Sequence, residues 1–149
     1  MTIVSIKQAK DNLTRLRREA ITGKEIILSD AKRKDEPDAS LISTALLDEL
    51  CETMKFTYKW PDNPDKKTGL YSIWNNETNI YGTGPTKADA MNDFIDNILD
   101  YTQAFFDDLP YYLSKNNPNR SHYWYLRRVA RFSEDRDKLV QTLELPEAN

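Results

Sequence analysis

The first 55 residues carry an ordered succession of strand, capped helix, strand, strand and helix, and that order constrains the fold more than any other feature of the chain. It opens with Ile3-Val4-Ser5, where Ser5 is a good N-cap and Gln8, three residues on, completes a capping-box pattern. The chain is therefore expected to turn from strand to helix at Ser5. Within that helix Ile6, Ala9, Leu13, Leu16 and Ala20 recur at steps of three and four, which places them on one buried stripe. Lys7, Lys10, Arg15, Arg17 and Arg18 fall off the stripe. Gly23 supplies a left-handed stop, and Ile26-Ile27-Leu28, short and rich in β-branched residues, reads as a strand. Ala39-Ser40-Leu41-Ile42-Ser43 then leads into a Leu-rich helix that ends near Cys51.

Composition changes after residue 55. Phe56-Thr57-Tyr58-Lys59-Trp60 alternates aromatic and polar residues as a half-buried strand does, and Pro61 to Gly69 is a polar turn region. Leu70 to Trp74 is the returning strand, Asn75 to Thr78 a second turn, and Asn79-Ile80-Tyr81 a third short strand. Gly82-Thr83-Gly84-Pro85 is expected to be a break before a helix. It lacks the further glycine and lysine of a phosphate-binding loop. Thr86 caps a long helix with Asp89 at the box position, and Met91, Phe94, Ile95, Ile98, Leu99, Thr102, Phe105, Phe106 and Leu109 form its buried stripe up to Pro110. From about Arg120 the chain is helical again: Tyr123, Trp124, Leu126, Val129 and Phe132 alternate with Arg127, Arg128 and Arg131, and Ser133 is placed to cap a last helix carrying Leu139, Val140 and Leu143. The aromatic residues either complete the core over the small sheet or serve in binding. The fold class is α+β, in two parts, 1–55 and 56–149.

Charge separates the same two parts. The net charge is only -3, which argues against nonspecific nucleic-acid binding. Residues 1–34, however, hold nine Lys or Arg against four Asp or Glu, a local +5, whereas residues 61–112 hold three against nine, a local -6. One end suits phosphate and the other a basic partner; a solvated helix face is the plainer account of the basic end. One cysteine, Cys51, on the face of a Leu-rich helix, reads as a structural thiol, and one histidine, His122, gives neither metal spacing nor a Cys-His pair. Asp93, Asp96, Asp100, Asp107 and Asp108 lie on a helix with no converging strand carboxylates, so they read as a solvated acidic face and no enzyme or cofactor is expected. No signal peptide, lipidation motif or bilayer-length apolar stretch is read, so a cytoplasmic protein is expected.

The N-terminal pattern resembles the DNA-binding domain of Phd/YefM-type antitoxins, with its Val-x-x-x-x-Ala-Arg-x-x-Leu opening, Gly-x-x-Ile-Ile-Ile strand and Leu-rich helix. Val4, Ala9, Lys10 and Leu13 fill the opening, Gly23, Ile26, Ile27 and Leu28 the strand, and Ser40 to Leu50 the remainder. The 56–109 stretch, a β-β-β-α unit in which Gly84, Thr86, Asp89 and Ala90 form the join, resembles the HicB-like antitoxin domain. The resemblance implies a homodimer that binds operator DNA through the start of its first helix, with Ser5, Lys7, Lys10, Asn12, Arg15, Lys32 and Arg33 as DNA-contacting candidates, and a cognate protein toxin bound by the part after residue 55. Lys10 stands where the family usually has an Arg, and a Lys holds phosphate but lacks the bidentate fork suited to guanine. Asp30 replaces a second family basic residue, with Lys32, Arg33 and Lys34 close behind it. The alternative is a protein-interaction or immunity-like module that does not bind DNA.

Overall fold

The computed structural model describes residues 1–147. The chain divides into two compact units, Met1–Thr53 and the part from Met54 onward. Both are mixed α and β, each built on a small three-stranded sheet.

In unit 1, β1 (Thr2–Ser5) ends at the residue that caps α1 (Ile6–Asp11). The Ser5 hydroxyl accepts from the Gln8 amide at 3.1 Å, and the Gln8 side chain accepts from the Ser5 amide at 2.9 Å, so both halves of the capping box form. The helix does not run on unbroken to residue 21. Asn12 leaves helical geometry at φ -129°, its side chain donates to the Gln8 carbonyl at 3.0 Å, and α2 (Leu13–Ile21) starts afresh. Asn competes for backbone partners with its own amide, which makes it a natural breaking point. The break rotates the expected stripe. Ala9, Leu16 and Ala20 are buried, whereas Ile6 and Leu13 face solvent. Gly23, at φ 105°, reverses the chain into the central strand β2 (Ile26–Ser29). β1 lies parallel to β2, and β3 (Ala39–Leu41) antiparallel on its other side. Val4, Ala9, Leu16, Ala20 and Ile26 form the core, and α3 (Thr44–Glu52), capped by Ser43, completes the unit.

In unit 2, β4 (Tyr58–Lys59), β5 (Tyr71–Asn75) and β6 (Tyr81–Gly84) form an antiparallel meander. The expected first strand shrinks to two residues, and the third strand is shifted: it starts at Tyr81 and contains Gly82 and Gly84, which the sequence placed in a break. A close approach is the reason. α4 (Lys87–Asp107) packs so tightly on β6 that a Cβ on Gly82 would stand 2.3 Å from the Ala90 carbonyl oxygen and the Phe94 amide. Asn79, at φ 61°, takes the tight turn before it. The turn between β5 and β6 is held by the buried Asn75, whose side-chain Oδ1 accepts from the Thr78 amide and hydroxyl at 2.9 and 2.6 Å.

Thr86 caps α4 with Asp89 as expected. Two α4 side chains also reach the open edge of β6. Asp93 accepts from the Thr83 amide at 2.8 Å, and the Asn97 amide donates to the Tyr81 carbonyl at 2.8 Å. Pro110 falls in the first turn of a short α5 (Leu109–Tyr112). A 3-10 helix over Pro118–His122 leads into α6 (Tyr123–Arg131), and Asp135, not Ser133, caps α7 (Arg136–Leu143). Phe56, Ile73, Phe94, Ile95, Ile98, Phe105, Leu126, Val129, Leu139 and Leu143 are buried together, so the C-terminal helices do complete the core. Arg128, which alternates with the aromatic residues in sequence, is buried: it donates to the Met54 carbonyl at 2.6 Å and lies 5.2 Å from the Phe56 ring centre. A guanidinium tolerates burial when a carbonyl and an aromatic face take the place of water.

Candidate nucleic-acid interface

The candidate lysines sit where two parallel strands end. Ser5 is paired with Ser29, so α1 and the loop after β2 leave the sheet at the same end, the C-terminal end of the two strands. There Ser5, Ile6, Lys7 and Lys10 meet Ser29, Asp30, Ala31 and Lys32 around a depression of 410 Å³. Asp30 does not cancel the positive charge, because three lysines share the depression with it. Its carboxylate accepts from the Lys32 amide at 3.0 Å and fixes the turn that carries Lys32.

Lys10 also borders a second depression, of 420 Å³, with Asp11, Asn12, Leu13, Thr14, Arg15 and Arg18. The structure thus gathers Ser5, Lys7, Lys10 and Lys32 in one place and sets Asn12 and Arg15 beside them. Arg33 borders neither depression; it pairs with Glu36 at 3.6 Å. Arg15 pairs with Glu19 at 3.1 Å. Both pairs are largely exposed, and such pairs are worth at most about 1 kcal/mol, so a phosphate can compete for either arginine. Asn12 spends its amide on the helix break, and Ser5 spends its hydroxyl on the cap; their part is to hold the lysines in place.

Ammonium groups on flexible stems bind phosphate oxygens as point charges, and they carry little base discrimination without a fork. This end of the sheet therefore suits the backbone of a nucleic acid.

Sequence reasoning missed a neighbouring feature. Leu13, Arg17, Ala20 and Ile21 of α2 face Leu41, Ile42, Ser43, Thr44 and Ala45 across a largely apolar groove of 510 Å³. Leu13 and Ile21 are each 57 % exposed. The only local signal was Asn12 in mid-helix, which turns Leu13 outward.

Unit 2 has acidic side chains that follow one another along α4, with Asp93, Asp96, Asp100 and Asp107 in one helix. Its shifted titratable groups are structural: burial lowers the His122 pKa from its ordinary value, and burial followed by the Tyr112 neighbour pushes Tyr101 up to about 12, with the Tyr101 hydroxyl and His122 Nδ1 2.7 Å apart. Burial, with the charges of Glu77 and Glu144 adding to it, raises Tyr58, whose hydroxyl donates to the Leu143 carbonyl at 2.5 Å. Cys51 is buried, no three His, Cys, Asp or Glu side chains gather as a metal site among the described residues, and no helix among them is long and apolar enough to cross a membrane.

Residues 1–144 match a family model, PHD-like, described as antitoxin of toxin-antitoxin, RelE/RelB, TA system. No curated protein matches the chain. Among solved structures, the chain is similar to an antitoxin part of a putative toxin/antitoxin system from Syntrophomonas wolfei subsp. wolfei, with a TM-score of 0.73 and 16 % identity over 95 % of this chain and 96 % of that one. At that identity the likeness is one of fold.

Proposed function

The chain belongs to the PHD-like family of antitoxins of toxin–antitoxin systems, and we propose that it acts there through two surfaces. Unit 1, in the manner of Phd/YefM proteins, pairs with a second copy and binds operator DNA in the cytoplasm to repress its own operon. Unit 2, read from its sequence as a HicB-like β-β-β-α unit, binds the cognate toxin and blocks it without chemistry of its own.

One observation carries the DNA half of this reading: Lys7, Lys10 and Lys32 come from two segments distant in sequence and converge at one end of the sheet. Pairing supplies what a single copy lacks, a second set of lysines at fixed spacing, which is how small modules gain register on DNA. The groove between α2 and the segment from Leu41 to Ala45 offers apolar surface for that pairing.

A mobility-shift titration on the upstream DNA tests the reading. Retention of a symmetric site is expected, with affinity falling steeply as salt rises. Lys7→Ala combined with Lys10→Ala should weaken retention across sequences and reduce the salt slope by about four for a dimer, one per phosphate contact removed. Retention that is absent, or equal for wild type and variant, would confine unit 1 to protein interaction.

A further inference from the structure

We propose that the groove between the C-terminal half of α4 and α6 is the seat of a cationic, apolar-ridged segment of the toxin. This rests on the antitoxin reading above and names the surface of unit 2 that it uses. The groove encloses 400 Å³, and Leu99, Phe106 and Ala130 supply its apolar floor. The charged side chains that line it, Asp100 and Asp107, are both acidic and exposed, and neither has an ion-pair partner among the described residues.

The groove has a direction. Asp96, Asp100, Gln103 and Asp107 follow one another at steps of three or four along α4, so they form a single track of about 16 Å, at 1.5 Å per residue. At one end Arg136 donates to the Asn92 side-chain oxygen at 3.0 Å and stands 3.9 Å from Asp96.

Charge selects the occupant. A nucleic acid is repelled by the carboxylates, and so is the equally acidic face of a second unit 2. An uncharged apolar segment would fill the floor but strip water from Asp100 and Asp107 without replacing it, which is costly. A segment with an apolar ridge between lysines or arginines satisfies both floor and rim, and at such a rim charge complementarity governs encounter rate and partner choice.

The test is calorimetric titration of the full chain with the purified product of the neighbouring toxin gene. Wild type should form a stable complex. Asp100→Lys with Asp107→Lys should weaken it at least tenfold and flatten its salt dependence, while operator retention and thermal midpoint stay as in wild type. Trp74→Ala with Tyr81→Ala, on the stacked pair exposed on the sheet, is the control and should leave affinity within about twofold. Unchanged binding by the charge-reversed chain, or a loss that follows the Trp74 pair instead, overturns the groove assignment alone. Failure of the wild-type chain to bind the toxin at all overturns the toxin-binding reading together with it.

Discussion

Unit 1 and unit 2 solve the problem of a small core differently. The core cluster of unit 1 is Val4, Ala9, Leu16, Ala20 and Ile26, two of them alanines, and Ile3, Leu13, Ile21, Ile42 and Leu50 are exposed. Unit 2 buries Phe94, Phe105 and nine further apolar side chains, with a shell of tyrosines and tryptophan around them. A domain of about fifty residues buries a smaller fraction of its chain's surface on folding than a larger one does, and is correspondingly marginal. Unit 1 is thus suited to a state in which its stability depends on a partner, whereas unit 2 has a core of its own. Under the two-surface proposal, unit 1 is a control element whose fold leans on assembly, and unit 2 is an ordered body that offers a firm surface.

The largest expected effect falls on unit 2. Phe94 is fully buried and meets Tyr58 edge-on at 5.6 Å, so Phe94→Ala should cost about 3–5 kcal/mol in chemical denaturation. A cost below about 1 kcal/mol would mean that this core is no firmer than that of unit 1. Next, Ile21→Glu with Ile42→Glu puts charge into the apolar groove of unit 1. Light scattering should then show the dimer dissociating at protein concentrations at least tenfold higher than for wild type, and the melting temperature should cease to rise with concentration. An unaltered mass would remove partner dependence from unit 1 and with it the contrast.

The smallest effect is one of pH. Burial holds the His122 imidazole neutral in the folded chain, so the unfolded chain binds its proton more readily. The stabilisation is complete above the ordinary imidazole pKa of 6.5 and declines as pH falls through it toward the lowered value. His122→Gln retains an acceptor for Tyr101 and should flatten this decline in a series of melts across that window. An identical decline in the variant would shift the cause to other groups.

Much of the fold was legible because its signals are local. The Ser5–Gln8 box and the Thr86–Asp89 cap each lie within one helical turn, and both form as read. What failed was set by tertiary packing or, at Asn12, by a local competition that the helical period hides. Gly82 and Gly84 resemble a loop until α4 lies on them and requires a strand without side chains. Leu13 matches the helical period only if the helix continues through Asn12, and the competition between the Asn12 side chain and the backbone decides that it does not. Arg128 lies among basic residues in sequence, and only the folded unit brings the Met54 carbonyl and Phe56 ring to it. The candidate site divides in the same way. Lys7 and Lys10 come from one helix, but Lys32 joins them through the parallel pairing of β1 and β2, which no window of sequence displays.

The side chains of Asp93 and Asn97 on the free margin of β6 carry one more consequence. A bare strand margin is a template on which any extended polypeptide can zip itself, whether a legitimate ligand or a misfolded sibling. With the Thr83 amide and Tyr81 carbonyl already engaged, that template is closed on the β6 side, so whatever recognises unit 2 there must do so by shape and side chain. The same two residues guard the chain against runaway stacking of one copy on the next along that margin.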